Sequence, residues 1–474
     1  MAVRLIADNH YVHIKGASRN ILRKLERELS YRVVGFQFSP AFQQRRWDGR
    51  EHLLKFSRKH GYRVPIGLLA ELYVNLRQLK AEVKVIDKRR RPIAVVEYDW
   101  NPDVELRPHQ NEAVDAITGP VLPGRGILKM PIRSGKTWTV ANVIKRLKAR
   151  TLVIVNSQLL LYQTRDALNH VLMRDGDIGV VGDSGWVESD ITVATIHTLV
   201  NAREAGSERY KKMLSRYDMV VFDECHHLRG DVWREVMIDF DAFYKVGLSA
   251  TVYLDNEREM ERGVIWLRAC CGEQRCDIPA SRLIREGWLV RPTIKLYRVL
   301  EPDLSEQRWS MALQNEAVYE NEARNQLIVQ LAQENVAQGL RVLIICNRLN
   351  QIGRLKMMLD DTNLVCEAVT SKNKAESRRT MIQEFVDGHI HVLVGTVFGE
   401  GVDIPEVECV INAEGGRDVK ATVQRMRNLT PNKGKTEAVF IDFMDMTNKY
   451  FAEHSRERLK VYRSEPEFNV KLMR

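Results

Sequence analysis

The sequence predicts an α/β protein: two parallel-sheet lobes wound with crossover helices, preceded by a small basic α+β domain. Three observations point there. Short apolar strands alternate with helical segments from about residue 105 to 285. The same pattern restarts near residue 340, where a parallel sheet again needs helical crossovers. Residues 1–104 are built differently and carry 21 Lys and Arg against 11 Asp and Glu, which equals the net charge of +10 of the whole 474-residue chain.

The length predicts about three domains, placed at 1–100, 101–290 and 291–474. In the first, "YVHIKG", "AEVKVID" and "IAVVEYDW" read as strands, and "SRNILRKLERELS" reads as a helix with a Ser N-cap and leucines at three- and four-residue spacing. Phe36, Phe38, Phe42 and Trp47 are interleaved with Arg45, Arg46, Arg50 and Lys55. The aromatics are expected mostly to fill the small domain's core, and the cations to contact nucleic-acid phosphates. "DKRRRPIAVV" is expected to be a charged turn between two strands. In the second domain "GILKM", "TLVIVNS", "ITVATI", "MVVFDE" and "YKVGLSA" read as strands; in the third, "RVLIICN", "HVLVGT", "CVINAEG" and "AVFIDFMD" do. A hinge is expected around "SRLIREGWLVRPTIKLY", and the tail as an amphipathic helix with Tyr450, Phe451, Leu459 and Tyr462 inward.

Composition excludes several classes. Hydrophobic residues are 44% and charged residues 28%, a globular balance. No apolar run approaches the ~18 residues of a membrane span, and the first residues lack a signal-peptide core. Seven scattered cysteines suit free thiols in a reducing compartment, and "CCGEQRC" matches no zinc spacing. The basic first domain fits a nucleic-acid grip, because Lys and Arg displace counterions from phosphates; solubility is the alternative.

"MPIRSGKTWT" at 130–139 ends like a phosphate-binding loop between a strand and a helix. Ser134 and Gly135 would bring backbone N–H groups to the phosphates. Lys136 would reach the β- and γ-phosphates, and Thr137 would bind Mg²⁺. The pattern's first glycine is replaced by Met130, a turn at Pro131 can substitute for it, and Arg133 has no assigned role. Downstream, "YDMVVFDECHHL" places Asp223 and Glu224 at the carboxyl end of a buried strand, where open α/β sheets bind ligands. Asp223 would hold Mg²⁺ through water, and Glu224 would orient and deprotonate the attacking water. Together the two motifs predict an ATP site.

"FDECHH" resembles the Asp-Glu-x-His box of superfamily 2 helicases and translocases, and further matches follow in that family's order. "LRPHQ" is similar to the adenine-reading element, with Arg107 and Gln110 in its defining positions. "VIVNSQLLLYQ" and "VATIHTLV" resemble segments that track a nucleic-acid backbone. "LSAT" resembles the coupling motif, carried by Ser249 and Thr251. "VLIICNRLNQ", "VGTVFGEGVDIPEVECVI" and "VQRMRNLTP" resemble the last three motifs. The resemblance implies two RecA-like lobes closing on ATP, with Gly401 and Asp403 at the interface and Thr195 and Thr396 against the backbone of the bound strand. "FQFSPAFQQRRWDGREHLLKF" followed by "VPIGLL" resembles the N-terminal domain of phage UvsW-type branch-migration helicases.

The pattern breaks at its end. The family's Gln-Arg-x-Gly-Arg-x-x-Arg is here Gln424, Arg425, Met426, Arg427, Asn428, Leu429, Thr430, Pro431, so both final arginines are missing. The expectation is that Gln424 and Arg425 keep their places and Arg427 supplies the finger from one position early. The resemblance implies ATP and Mg²⁺ as cofactors and forked or four-way branched DNA as partner, bound by a monomer. It also implies a bacterial or phage-infected cytoplasm, and no membrane. Competing readings are an RNA helicase and a DNA-binding protein that has lost hydrolysis. A restriction-type translocase is disfavoured, because no nuclease motif is visible.

Overall fold

The computed structural model describes the chain except residues 1, 34, 93–94, 121–123, 174–176, 251–264, 371, 397–403, 405–406, 418–437 and 474. The described residues divide into two compact units. One comprises 1–130 and 135–277, and the other comprises 278–474 with 131–134.

The N-terminal part of the first unit holds β1 (Val3–Ala7), β2 (Tyr11–Lys15), β3 (Ser30–Arg32), β4 (Arg50–His52), β5 (Lys55–Ser57), β6 (Gly61–Pro65) and β7 (Val83–Asp87). Five of them form a sheet in the order β5-β6-β2-β1-β7, and β3 and β4 make a separate antiparallel ribbon. The helix Arg19–Glu28 starts where the sequence puts it, with the Ser18 side chain accepting from the Ile21 N–H. This module's core is aliphatic: Val3, Leu5, Val12, Leu25, Leu53, Val64 and Leu72 are among its buried residues.

Two expectations for this module fail. Phe36, Phe42 and Trp47 are only half-buried and Phe38 is 77% exposed, so the aromatics are not its core. The alternating Val, Leu and Ile of the sheet and two helices already fill that space. Residues 95–100 are not a strand. Their described backbone makes one bond to the lobe, Val96 N–H to the Lys148 carbonyl at 2.9 Å, and the Tyr98 hydroxyl caps the Ala149 carbonyl at 3.1 Å. Within "DKRRRP", Arg90 ties the module to the lobe, donating to Asp241 at 3.0 Å and Asp218 at 3.3 Å. Trp266 donates to the Tyr31 hydroxyl at 3.0 Å, and Ile265, Trp266 and Ala269 join the module's own core. A Cβ on Gly67 would lie 2.0 Å from the Arg268 carbonyl oxygen, so only glycine permits this approach.

The rest of the first unit is one parallel sheet with an antiparallel edge. Its strands are β8 (Arg125–Lys129), β9 (Thr151–Val155), β10 (Gly179–Gly182), β11 (Gly185–Val187), β12 (Ile191–Thr195), β13 (Met219–Phe222), β14 (Tyr244–Ser249) and β15 (Gln274–Asp277). They run in the order β11-β10-β12-β9-β13-β14-β8-β15. β9, β12 and β13 are buried at every position, as strands covered by helices on both faces must be.

The second unit repeats the plan with β16 (Pro292–Val299), β17 (Val342–Ile345), β18 (Cys366–Val369), β19 (Val392–Gly395), β20 (Cys409–Asn412), β21 (Ala438–Asp445) and β22 (Asn469–Leu472). Their order is β18-β19-β17-β20-β21-β16-β22, and every pair is parallel. The tail helix Lys449–Ser464 buries Phe451, Val461 and Tyr462, with Tyr450 and Leu459 half-buried. It also buries Arg458. All seven cysteines are buried free thiols. No helix among the described residues is long and apolar enough to cross a membrane.

Candidate active site

The site is built at the carboxyl ends of neighbouring strands in the first unit, the position where open parallel sheets expose N–H groups and loops to ligand. β13 delivers Asp223 and Glu224, β14 ends on Ser249, and the helix Lys136–Leu147 follows β8 through the loop. Met130 is fully buried and its N–H bonds the Ser249 carbonyl at 3.0 Å, so the residue in the glycine position serves as core. The turn it precedes closes on itself: the Ser134 hydroxyl donates to the Pro131 carbonyl at 2.8 Å.

Gly135 caps the helix at φ 79, ψ 40, and a Cβ there would sit 2.0 Å from Gln110 Nε2. The Gln110 amide donates to the Gly135 carbonyl at 3.3 Å and accepts from the Arg107 N–H at 2.8 Å. Gln110, 1% exposed, thereby fastens the start of its own helix to the start of the next. Burial pushes the half-buried Arg107 guanidinium below its ordinary value. Thr137 lies half-buried on the first turn beyond Gly135.

The Lys136 ammonium donates to Glu224 Oε1 at 3.0 Å, with both side chains nearly buried. Glu224 Oε2 lies 3.2 Å from His226 Nδ1, which in turn meets the Ser249 hydroxyl at 3.0 Å. A continuous chain therefore joins Lys136, Glu224, His226 and Ser249. His226 was not among the candidate residues; its signal was its place two residues after Glu224 in "DECHH". The residue that turns this chain, Glu224, has φ 51 and ψ 50, a left-handed backbone that costs a non-glycine residue roughly 1–3 kcal/mol.

The electrostatics set the two carboxyls apart. Burial pushes Asp223 up, the nearby Lys136 only partly offsets this, and its value is raised to about 6. Burial also pushes Glu224 up, but Lys136 and His226 overcome that and hold it well below the usual carboxylate range. Burial lowers Lys136, yet Glu224 and Asp223 win and leave it above the ordinary lysine value. One carboxylate is thus firmly ionised and its neighbour is easily protonated. For Mg²⁺, the donor set of one carboxylate (Asp223) and one hydroxyl (Thr137) is the kind that usually binds the ion alongside substrate phosphates. The αL glycine, helix start and lysine fit a phosphate chain.

Other expected residues fall elsewhere. Thr195 caps the helix Ile196–Glu204, is 4% exposed, and shares its hydroxyl with Thr198 at 2.8 Å. Thr396 follows β19 and is half-buried. Arg45, Arg46 and Lys55 are exposed, whereas Arg50 donates to the Ser30 hydroxyl at 2.9 Å and the Ser30 carbonyl at 2.8 Å. Arg50 is therefore occupied in the β3–β4 ribbon. Thr251, Gly401, Asp403, Gln424, Arg425 and Arg427 lie outside the described residues.

Comparison with known proteins gives three consecutive family matches. Residues 3–85 match the N-terminal domain of the DNA helicase UvsW, 103–254 the res subunit of type III restriction enzymes, and 323–427 the helicase conserved C-terminal domain. The chain is 26% identical to the DNA 3'-5' translocase XPB2 of Sulfurisphaera tokodaii, over 78% of this chain and 86% of that protein. It is 20% identical to the ATP-dependent DNA helicase uvsW of Enterobacteria phage T4, over 92% of each. Among solved structures, Saccharomyces cerevisiae Dbp5 bound to RNA and ADP BeF3 is similar at a TM-score of 0.55 and 15% identity, over 77% of this chain and 89% of that one. That likeness is one of fold.

Proposed function

The chain belongs to the superfamily 2 helicases, in their UvsW-like branch, and on that premise we propose that this ATP-hydrolysing helicase is a DNA translocase that remodels forked or four-way branched DNA. The observation that carries the hydrolytic part is the linked chain Lys136–Glu224–His226–Ser249. The DNA part rests on the names of the relatives and on the basic first module.

In the proposed cycle, Lys136 exchanges Glu224 for the β- and γ-phosphates when ATP enters. That exchange frees the Glu224 carboxylate to orient a water against the γ-phosphorus and take its proton as the bond to the β-phosphate breaks. Gly135 and the first N–H groups of its helix hold the phosphates, and Arg107 and Gln110 bound the base end of the site. Mg²⁺, held by Thr137 and by Asp223 through water, would neutralise developing phosphate charge. His226 passes the position of Glu224 to Ser249, which shares the coupling segment with Thr251 in sequence. The roles expected of Gly401, Asp403, Gln424, Arg425 and Arg427, the last as the finger, belong to the same proposal and fall on residues outside the described ones. Thr195 and Thr396 lie along the proposed DNA path, and Arg45, Arg46 and Lys55 provide the grip of the first module, with monomers acting singly.

The test is steady-state ATP hydrolysis at fixed salt with no nucleic acid, linear duplex, forked DNA, a four-way junction or single-stranded RNA. Stimulation strongest on branched DNA supports the reading, and stimulation strongest on RNA would replace it with an RNA helicase. The altered motif with Asn428 and Pro431 favours a second reading, a clamp without hydrolysis. Full DNA-stimulated turnover in Arg427→Ala would remove Arg427 from the finger role.

A further inference from the structure

The N-terminal module holds an open cleft of about 540 Å³ beside its aromatic segment, within the ~300–1,000 Å³ range of small-ligand sites. Phe42 and Trp47 line it, and Arg45, Arg46, Gln43 and Asp48 rim it. The rings are fixed in place. Phe42 packs edge-on against Phe36 at 4.7 Å, and the Trp47 indole N–H donates to the Arg50 carbonyl at 2.7 Å. Gly49, at φ +77, lets the chain pass so close that a Cβ would lie 2.6 Å from the Phe36 ring. The cations are presented and left free. Arg45 takes φ 55, a left-handed position that glycine would occupy at less cost, and neither the Arg45 nor the Arg46 guanidinium has a partner among the described residues. Residues 35–63 carry seven Lys and Arg against two Asp and Glu, and Phe38 and Phe56 stand 77% and 62% exposed there.

Resting on the DNA reading above, we propose that this cleft receives one unstacked nucleobase from the bound DNA, stacked on Phe42 and Trp47 while Arg45 and Arg46 take the adjoining phosphates. A base within a duplex has both faces covered by its neighbours, so a nucleotide at a branch point or in a single-stranded arm enters without the unpairing and unstacking cost that a paired base would bear. Every base offers a π-face, so the cleft holds its base with little sequence preference. Arg50, occupied by Ser30, shapes the ribbon beside the cleft without entering it. The module is fastened to the first lobe by Arg90 and Trp266. The captured base therefore stays in register with the lobe that carries Lys136 and Glu224.

The experiment uses the full chain and forked DNA in which one abasic nucleotide is walked through the junction and its arms, with affinity read by fluorescence anisotropy at fixed salt. One abasic position should weaken wild-type binding about five- to a hundredfold, the range for losing a single base–aromatic stack. Phe42→Leu should bind the intact fork with a similar deficit and show no abasic position effect. Phe42→Tyr, which keeps the ring, should retain it, and this separates loss of stacking from loss of folding. Arg46→Ala should weaken all DNA substrates alike and lower the salt slope by about one. Uniform wild-type affinity across the abasic series, or full sensitivity in Phe42→Leu, overturns the cleft while leaving DNA binding intact. Failure of the wild type to bind any forked DNA overturns the DNA reading beneath it.

Discussion

Two clusters of buried charge can be compared directly, one in each unit. In the first, Lys136 and Glu224 meet at 3.0 Å beside Asp223, whose carboxyl burial raises to about 6. In the second, Arg324 pairs with Asp445 at 2.8 Å and Arg458 with Asp442 at 2.7 Å, with all four side chains at 0% exposure. The second cluster is densely bonded. Arg458 also reaches the Phe443 carbonyl at 2.7 Å and the Gly416 carbonyl at 2.5 Å, and Asp442 accepts from Tyr462 at 2.7 Å and Asn412 at 3.1 Å. Neither Asp442 nor Asp445 takes a left-handed backbone, and Arg324, though on the first turn of the helix Glu322–Ala337, is turned into the core against Asp445. The first cluster has a left-handed Glu224, a lysine at a helix start and two carboxyls whose affinities for protons are pulled apart. Buried charge alone therefore marks neither function nor stability. What separates them is setting: the second cluster is fully enclosed, even though Asp445 Oδ2 and Arg324 Nη2 find no hydrogen-bond partner among the described residues, whereas the first lies at strand ends beside a helix start, where a ligand can reach it.

The comparison is broken most severely by Arg458→Ala. Removing it strands Asp442 in the core, and the expected loss is about 3–5 kcal/mol of unfolding free energy, read by urea titration. Lys136→Ala acts through chemistry and should lower ATP turnover by about 10²–10³-fold, the usual effect of deleting one charge-stabilising group in a site. Ser249→Ala removes the hydroxyl next to His226. It should cost about 1 kcal/mol in stability and reduce the stimulation of ATP turnover by DNA more than the basal rate.

The smallest effect is on pH dependence. Burial raises Asp442, but Arg458 and Tyr462 overcome it, so its folded value lies below the ordinary carboxylate value of about 3.9. Its contribution is fully present above that value and lost as pH falls through the depressed one. Asp445 runs the other way, because burial leaves it raised despite Arg324, so its ionisation opposes folding at neutral pH. The stability difference between wild type and Asp442→Asn should shrink between pH 7 and pH 3. A difference that grows on acidification would reverse the sign assigned to Asp442.

Much of the motor was legible because its signals are local. A short, fully apolar run ending in Asp-Glu reads as a covered parallel strand with carboxylates at its end, and Gly-Lys-Thr before an amphipathic run reads as a helix start. Ser18 was legible as a cap for the same reason. The aromatics at 36–47 misled because hydrophobic identity does not say which face a residue takes. The aliphatic strands had already filled the core, leaving Phe38 in water. The bond from Arg50 to Ser30 was not legible, because Ser30 is twenty residues away across a ribbon that the sequence does not announce. The edge strands β15 and β22, "QRCD" and "NVKL", lack the apolar content by which the inner strands are recognised. The Asp442–Arg458 pair joins a strand residue to a helix residue sixteen positions on, a contact that no local pattern in the sequence announces.

The most direct measurement is ATP turnover and ATP affinity of Glu224→Gln beside wild type, with forked DNA at saturating nucleotide. The amide keeps the size of the side chain and loses the proton acceptor. The account predicts that turnover falls at least about 10²-fold while ATP still binds with an affinity within a fewfold of wild type. Turnover close to wild type with Gln at 224 would contradict it, and the water-activating role would have to be sought elsewhere in the chain.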